Sequence, residues 1–337
     1  MSIRVLAPGP LTTVQDLGRA GHAAEGYRCC GAADPYAARL ANLLVGNDPG
    51  AAVLETTLQG PRLQFAHAAV FALAGAEAPA ALDGRPVPFY APLCAQTGSV
   101  LTVGAAQEGL RSYLAVWGGI AVPLVQGSRS TDLACRLGGL EGRALQAGDV
   151  LPLAERGGLA VLWWKKIRHI RADRPVGDAA VCRGARLWRW TGGKRVPLLR
   201  AVPGPQWQAF TAAGQQTFTH SVYRLTADCS RMACKLQGAA IETVAGADIL
   251  SDGIVSGSVQ VSSGGQPMVM LADHQSTGGY AKIATVITAD LPALAQLRPG
   301  QEVAFTLTDP ASAAAAARVQ AARLRQVQAR LDPIRKE

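Results

Sequence analysis

No apolar run in the 337-residue sequence approaches the ~20 residues that a membrane-crossing helix needs. The opening MSIRVLAPGP lacks the apolar core of a secretion signal. Seven cysteines, an odd number with Cys29 and Cys30 adjacent, do not make a disulfide framework, and Cys229-x4-Cys234 has the wrong spacing for a zinc knuckle. His22, His67, His169 and His220 lack partners at metal spacing, so no metal role is assigned. Also missing are GxxxxGK[ST], GxGxxG after a strand, HExxH, GxSxG and a Met-Lys-Met biotinylation site. The expectation is a soluble cytoplasmic protein with reduced thiols, no attached biotin and no nucleotide cradle of a familiar kind.

Charged residues are sparse at 17%, yet the net charge is +9. The excess is local. Residues 165–200 hold eleven Lys/Arg against Asp173 and Asp178, and residues 318–337 hold six against two acids, which leaves the rest at about −4. Only Trp188 and Trp190 interleave with the first basic stretch, too few for a nucleic-acid groove. A solvated connection or a contact with an acidic partner suits it better, and neither nucleic acid nor membrane is expected as a partner.

What is plentiful is apolar residues at 49%, with 37 Gly and 20 Pro, a folded and turn-rich composition long enough for two domains. Short strands are expected at 53–58, 63–65, 69–74, 100–103 and 112–117, with a turn at Asp83-Gly84, which favours a barrel or sandwich. A helix is expected over Pro35–Val45: Asp34 caps it, Pro35 suits its first turn, Leu40, Leu43 and Leu44 share a face, and Gly46 ends it. After a basic linker at 165–198, the motif LRAVPGP at 199–205 echoes IRVLAPGP at 3–10, and KLQG at 235–238 echoes TLQG at 57–60. The division is therefore 1–164 and 199–309, two related β domains, followed by an Ala-rich helix at 310–337 with Val319, Leu324, Val327 and Leu331 as its apolar stripe.

Three polar clusters sit in glycine-rich, apolar surroundings. The sharpest is 273–282, DHQSTGGYAK, where Gly278-Gly279 permits unusual backbone angles or close ligand approach beside His274, Gln275, Thr277, Tyr280 and Lys282; a solvated surface turn is its plain alternative. In the second, QGSRST at 126–131, Arg129 suits a carboxylate or phosphate with Ser130 and Thr131 filling the remaining lone pairs, unless the hydroxyls merely bond their own turn. The third sets Gln15, Asp16 and Arg19 in TTVQDLGR, with GAAD at 31–34 and Asn42 downstream; capping explains Asp34, and a buried amide satisfying nearby backbone is the alternative for Asn42.

Together TVQDLGR at 13–19, GAAD at 31–34, ANLLVGN at 41–47, LETT at 54–57, RSYLAV at 111–116, GSRST at 127–131 and HQSTGGYAK at 274–282 run in the order of the allophanate hydrolase subunit 2 family, also described as biotin-dependent carboxyltransferase-like. The likeness spans roughly residues 3–308. The chain resembles that family except that Cys30 and Ala33 replace its usual Ser and Met, Ala281 its Pro, and Ala233 and Lys235 its Gly and Arg. The resemblance implies a mainly β chain of two cyclophilin-like β-barrel domains with a few short helices and a C-terminal helix.

The family includes the carboxyltransferase region of urea carboxylases, a kinase-inhibitor antagonist and the C subunit of 5-oxoprolinase, and a stand-alone chain of this length is similar to the last. That implies ATP-driven opening of 5-oxoproline to glutamate, with ATP as co-substrate of a complex. The implied partners are a B subunit, of the allophanate hydrolase subunit 1 type, and an A subunit, of the lactam-utilisation type. The alternatives are a biotin-dependent carboxyltransferase acting on urea or a related amide, and a non-catalytic antagonist of a kinase-inhibitor protein. Phosphorylating the amide oxygen makes a better electrophile for water, so the site must neutralise a carboxylate and a developing phosphate. The expected catalytic residues are Lys282, Tyr280 and Gln275. Those expected to bind substrate are Gln15, Arg19, Asn42, Arg129, Ser130, Thr131, Thr277, Gly278 and Gly279, with 273–282 as one wall of an interdomain cleft.

Overall fold

The structure, a computed structural model, describes residues 1–154 and 186–336, with side chains through Leu331. The described residues form two compact units: 1–19, 30–154 and 321–336 in the first, and 20–29 with 186–320 in the second. The fold is mainly β, with 38% strand and 18% helix.

In the first unit the strands make two antiparallel sheets. The six-stranded sheet runs Val150–Pro152, Ser2–Ala7, Arg62–Phe65, Val100–Val103, Ala80–Leu82, Arg85–Pro86; the five-stranded sheet runs Leu11–Gln15, Val53–Thr57, Arg111–Val116, Ala69–Gly75, Leu93–Ala95. Asp83-Gly84 is the hairpin turn its dipeptide signalled, between Ala80–Leu82 and Arg85–Pro86. Arg111–Val116 is buried along its whole length, as suits a central strand, and helix α1 (Pro35–Val45) buries Leu40, Leu43 and Leu44 in the same core. Asp34 Oδ1 accepts from Ala37 N at 2.9 Å and Gly46, at φ 82°, closes the helix, so both ends are fixed by the residues that marked them.

Seven strands of the second unit close into a barrel: Lys194–Pro203, Lys282–Val286, Ser258–Val261, Pro267–Met270, Ala233–Gln237, Val222–Leu225 and Glu302–Leu307. The parallel pairing of Glu302–Leu307 with Lys194–Pro203 shuts the ring, leaving none of the seven as an open edge on that seam. Val259, Val269, Ile283, Val303 and Phe305 fill it. Helices α2 (Ala212–His220) and α3 (Leu291–Ala295) add Phe218 and Leu294 to that core.

Most of the basic linker expected at 165–198 lies outside the described residues. Its end is not a linker: Leu187–Thr191 and Lys194–Pro203 form a hairpin around Gly192-Gly193, whose φ angles of 53° and 77° give the turn that matches strand twist. The bases there are strand side chains with partners, Lys194 on Glu302 at 2.7 Å and Arg195 over the Trp190 ring at 5.1 Å. Helix α4 (Pro310–Lys336) begins where Asp309-Pro310 placed it. Leu324, Val327 and Leu331 are buried in the first unit's core, whereas Val319 is 53% exposed and falls off the expected stripe.

Candidate functional site

In the first unit, strand Leu11–Gln15 runs into the turn 16–19, and Asp16 is the hub of a buried hydrogen-bond network there. Its Oδ1 accepts from Gly18 N at 2.8 Å, Ser128 Oγ at 2.6 Å and Ser130 Oγ at 2.6 Å, and its Oδ2 accepts from Arg129 N at 2.5 Å. Asp16 N in return donates to Ser130 Oγ at 2.9 Å, and Ser130 N to Ser128 Oγ at 3.0 Å. A buried carboxylate accepting several donors is held in one orientation. The residue pattern carried a signal for this hub, since QD and SRS both read as polar turns, but the pairing spans more than a hundred residues.

This closure corrects two expected roles. Ser130 points its hydroxyl at Asp16, and Thr131 Oγ1 donates to Val14 O at 2.9 Å, so both hydroxyls bind the framework rather than a substrate. Asn42 is likewise internal: fully buried, its Nδ2 donates to Ala51 O at 2.7 Å and its Oδ1 accepts from Asn47 Nδ2 at 3.0 Å. The buried-amide alternative describes Asn42.

Arg19, Arg129 and Gln15 keep binding capacity. Arg129 Nε donates to Val122 O at 2.9 Å, and the half-buried guanidinium has both terminal nitrogens without a partner among the described residues. Arg19 is 2% exposed; Nη2 donates to Ser130 O and Nε to Val125 O, while Nη1 is buried with no partner among the described residues. Gln15 Nε2 donates to Thr131 O at 3.2 Å and Thr13 Oγ1 at 3.1 Å, and its buried Oε1 has no partner there. Two buried polar atoms left unmatched beside the one segment 130–131 are unusual in a folded chain. Gly138 packs against that segment so closely that a Cβ would overlap Ser130 O and Arg19 Nη2.

A second buried network stands behind the turn 30–34, and no single sequence motif disclosed it. Glu55 Oε2 accepts from Ala33 N at 2.8 Å and from Tyr113 Oη at 2.8 Å, and Tyr113 Oη accepts from Asp34 N at 2.8 Å. Arg111 Nε stands 3.9 Å from Glu55 Oε1. Burial first, then the charges of Glu55 and Asp34, push the Tyr113 phenol well above its ordinary range, so it stays a donor.

In the second unit the cluster 273–282 is less open than its sequence suggested. Asp273 is not solvated: Oδ1 and Oδ2 accept from Arg231 Nη2 at 2.8 Å and Nε at 2.9 Å, a buried bidentate pair. Lys282, expected as a catalytic residue and 3% exposed, donates to Asp252 Oδ2 at 2.6 Å and Gly253 O at 3.0 Å, so its ammonium is already paired. Lys282, with smaller help from the Gly253 and Gln206 hydrogen bonds, holds the Asp252 carboxyl below the usual range. Thr277–Tyr280 pairs with Asp248–Gly253 in a two-stranded arm, where neither glycine needs a positive φ. A Cβ on Gly278 would meet Ile254 Cδ1 at 2.5 Å, so packing accounts for it, while Gly279 has ordinary room. Gln275 and Thr277 are exposed and Tyr280 is half-buried.

The family model of the carboxyltransferase domain, subdomain A and B, matches residues 25–307. The chain is 41% identical to the 5-oxoprolinase C subunit of Escherichia coli over 303 residues, 90% of each chain. It is 38% identical to the 5-oxoprolinase C subunit of Haemophilus influenzae over 296 residues, 87% of each. The crystal structure of the K. lactis urea amidolyase superposes with a TM-score of 0.81 at 26% identity, covering 97% of this chain and 20% of that one. With a family match across most of its length, the chain belongs to the carboxyltransferase domain family, subdomain A and B.

Proposed function

We propose that this chain is the C subunit of an ATP-dependent 5-oxoprolinase, an amide hydrolase that opens the lactam 5-oxoproline to glutamate. The observation that carries the reading is likeness to a 5-oxoprolinase C subunit over 90% of both chains. The partners are an A subunit, of the lactam-utilisation type, and a B subunit, of the allophanate hydrolase subunit 1 type. ATP enters as co-substrate of the complex, and no biotin is attached to this chain.

The chemistry asks for cations that meet a carboxylate and a phosphoryl group. Arg129 serves it best: its backbone N and Nε are tied down, which fixes the plane of the guanidinium and leaves the terminal nitrogens to take an anion in two parallel bonds. Arg19 adds positive potential from beneath, and Gln15 offers an acceptor to an amide N–H. Ser130 and Thr131 act one step back, as the frame. Lys282 holds the arm 248–253 through Asp252, and of the expected residues on this segment Gln275, Thr277 and the half-buried Tyr280 stay within reach of a ligand.

Co-expression with candidate A and B subunits, followed by an assay for glutamate formed from 5-oxoproline with ATP, tests the proposal. Glutamate that depends on all three chains supports it, and a well-formed complex that makes none overturns it. The likeness to a urea amidolyase favours one second reading, a carboxyltransferase acting on urea or a related amide. Activity that requires a separate biotinylated carrier selects that reading instead.

A further inference from the structure

We propose that Tyr113 and Glu55, neither of which lies in the anion-facing turn, are positioning residues that set the placement of Arg129. The inference rests on the reading of Arg129 as the substrate-facing cation.

The connection is a continuous run of short, buried hydrogen bonds. Tyr113 and Glu55 come from adjacent strands, paired directly as Tyr113↔Glu55 at the centre of the five-stranded sheet, both almost wholly buried. They grip the backbone N–H groups of Ala33 and Asp34. One residue earlier, Ala32 N donates to Asp16 O at 2.8 Å. One more residue back, Gly31 sits at φ 89° against the turn 17–18, where a Cβ would come within 2.8 Å of Gly18 N. The carboxylate of Asp16 then receives Gly18 N, the hydroxyls of Ser128 and Ser130, and Arg129 N. Each link is backbone or a buried side chain, so displacement at one end is passed along the run.

Capping alone does not account for the pair. Helix α1 already has its N-cap from the Asp34 side chain, which accepts from Ala37 N without help from Tyr113 or Glu55. A buried phenol and a buried carboxylate facing each other across two strands are a costly choice for packing alone. Their shared effect is to fix where the segment 30–34 lies against the turn 16–19.

Two measurements test this in the assembled complex and in the chain alone. Tyr113→Phe removes one hydroxyl, while Glu55→Gln keeps an acceptor for Ala33 N and Tyr113 Oη. Hydrogen exchange of the chain alone is expected to quicken in Tyr113→Phe at 33–34 and also at 16–18 and 128–130, and to change less in Glu55→Gln. Faster exchange confined to 33–34 overturns the proposal, because it makes the pair a local brace. In the complex, Tyr113→Phe is expected to raise the KM for 5-oxoproline about tenfold with a smaller fall in kcat, since ground-state and transition-state binding are lost together. Arg129→Ala serves as the control. If Arg129→Ala leaves KM unchanged, the reading of Arg129 has failed. If Arg129→Ala raises KM and Tyr113→Phe does not, the positioning role alone has failed.

Discussion

Replacing Asp16 separates the geometry of its hub from its charge. Asn at this position keeps an oxygen where Oδ1 accepts from Gly18 N, Ser128 Oγ and Ser130 Oγ, but turns an N–H towards Arg129 N, which now meets a donor. One charge-assisted bond is lost, at a cost of about 2 kcal/mol. Ala removes both acceptor oxygens and with them all four bonds, leaving two hydroxyls and two backbone donors in a buried turn, at a cost of about 4 kcal/mol or more. For a unit of this size the Asn variant is expected to melt roughly 4–8 °C below the native chain, and the Ala variant about twice as far below. Thermal unfolding of the chain alone at neutral pH, followed by circular dichroism, reads both. Equal losses for Asn and Ala would show that the three bonds to Oδ1 contribute nothing. No loss in either would refute the hub.

Other perturbations are as specific. Gly138→Ala drives a Cβ into Ser130 O at a φ of 64°, so it is expected to lower the melting temperature and to raise the KM of the complex by displacing Arg19 and the segment it holds. Asp273→Ala takes the bidentate carboxylate away from the buried Arg231 guanidinium and is expected to cost about 3–5 kcal/mol in urea titration, whereas Arg231→Met with Asp273→Leu recovers most of it. Because the folded pKa of Asp252 is depressed, its contribution is present at neutral pH and is lost only as pH falls through that lowered value. In Lys282→Ala the loss should move to higher pH, seen as faster hydrogen exchange over 248–253 in mild acid, where the native arm stays protected.

Local chemistry carried the elements that were legible before folding. Asp34, Pro35 and Gly46 fixed α1 because capping and φ preferences act within a few residues. The strands of the first unit showed as apolar runs between turns, and α4 as an Ala-rich run after Asp309-Pro310. The hairpin of Leu187–Thr191 with Lys194–Pro203 was hidden because its bases resembled a solvated linker; only pairing across the turn gives Lys194 and Arg195 their partners. At the site, residue type singled out Arg19, Arg129 and Gln15 but could not say which groups remain open. Ser130, Thr131 and Asn42 present the same donors on paper and are consumed by Asp16, Val14 and Ala51.

Residue order is enough for the mainly β class, the ends of α1, the polar turns and, through seven motifs in succession, the family. Which charges stand free is settled only in three dimensions. A carboxylate at 16 meets hydroxyls at 128 and 130, an arginine at 231 meets Asp273, and a lysine at 282 meets Asp252. Hydrogen bonds and ion pairs act over about 3 Å in space whatever the separation along the chain, so no local pattern records them.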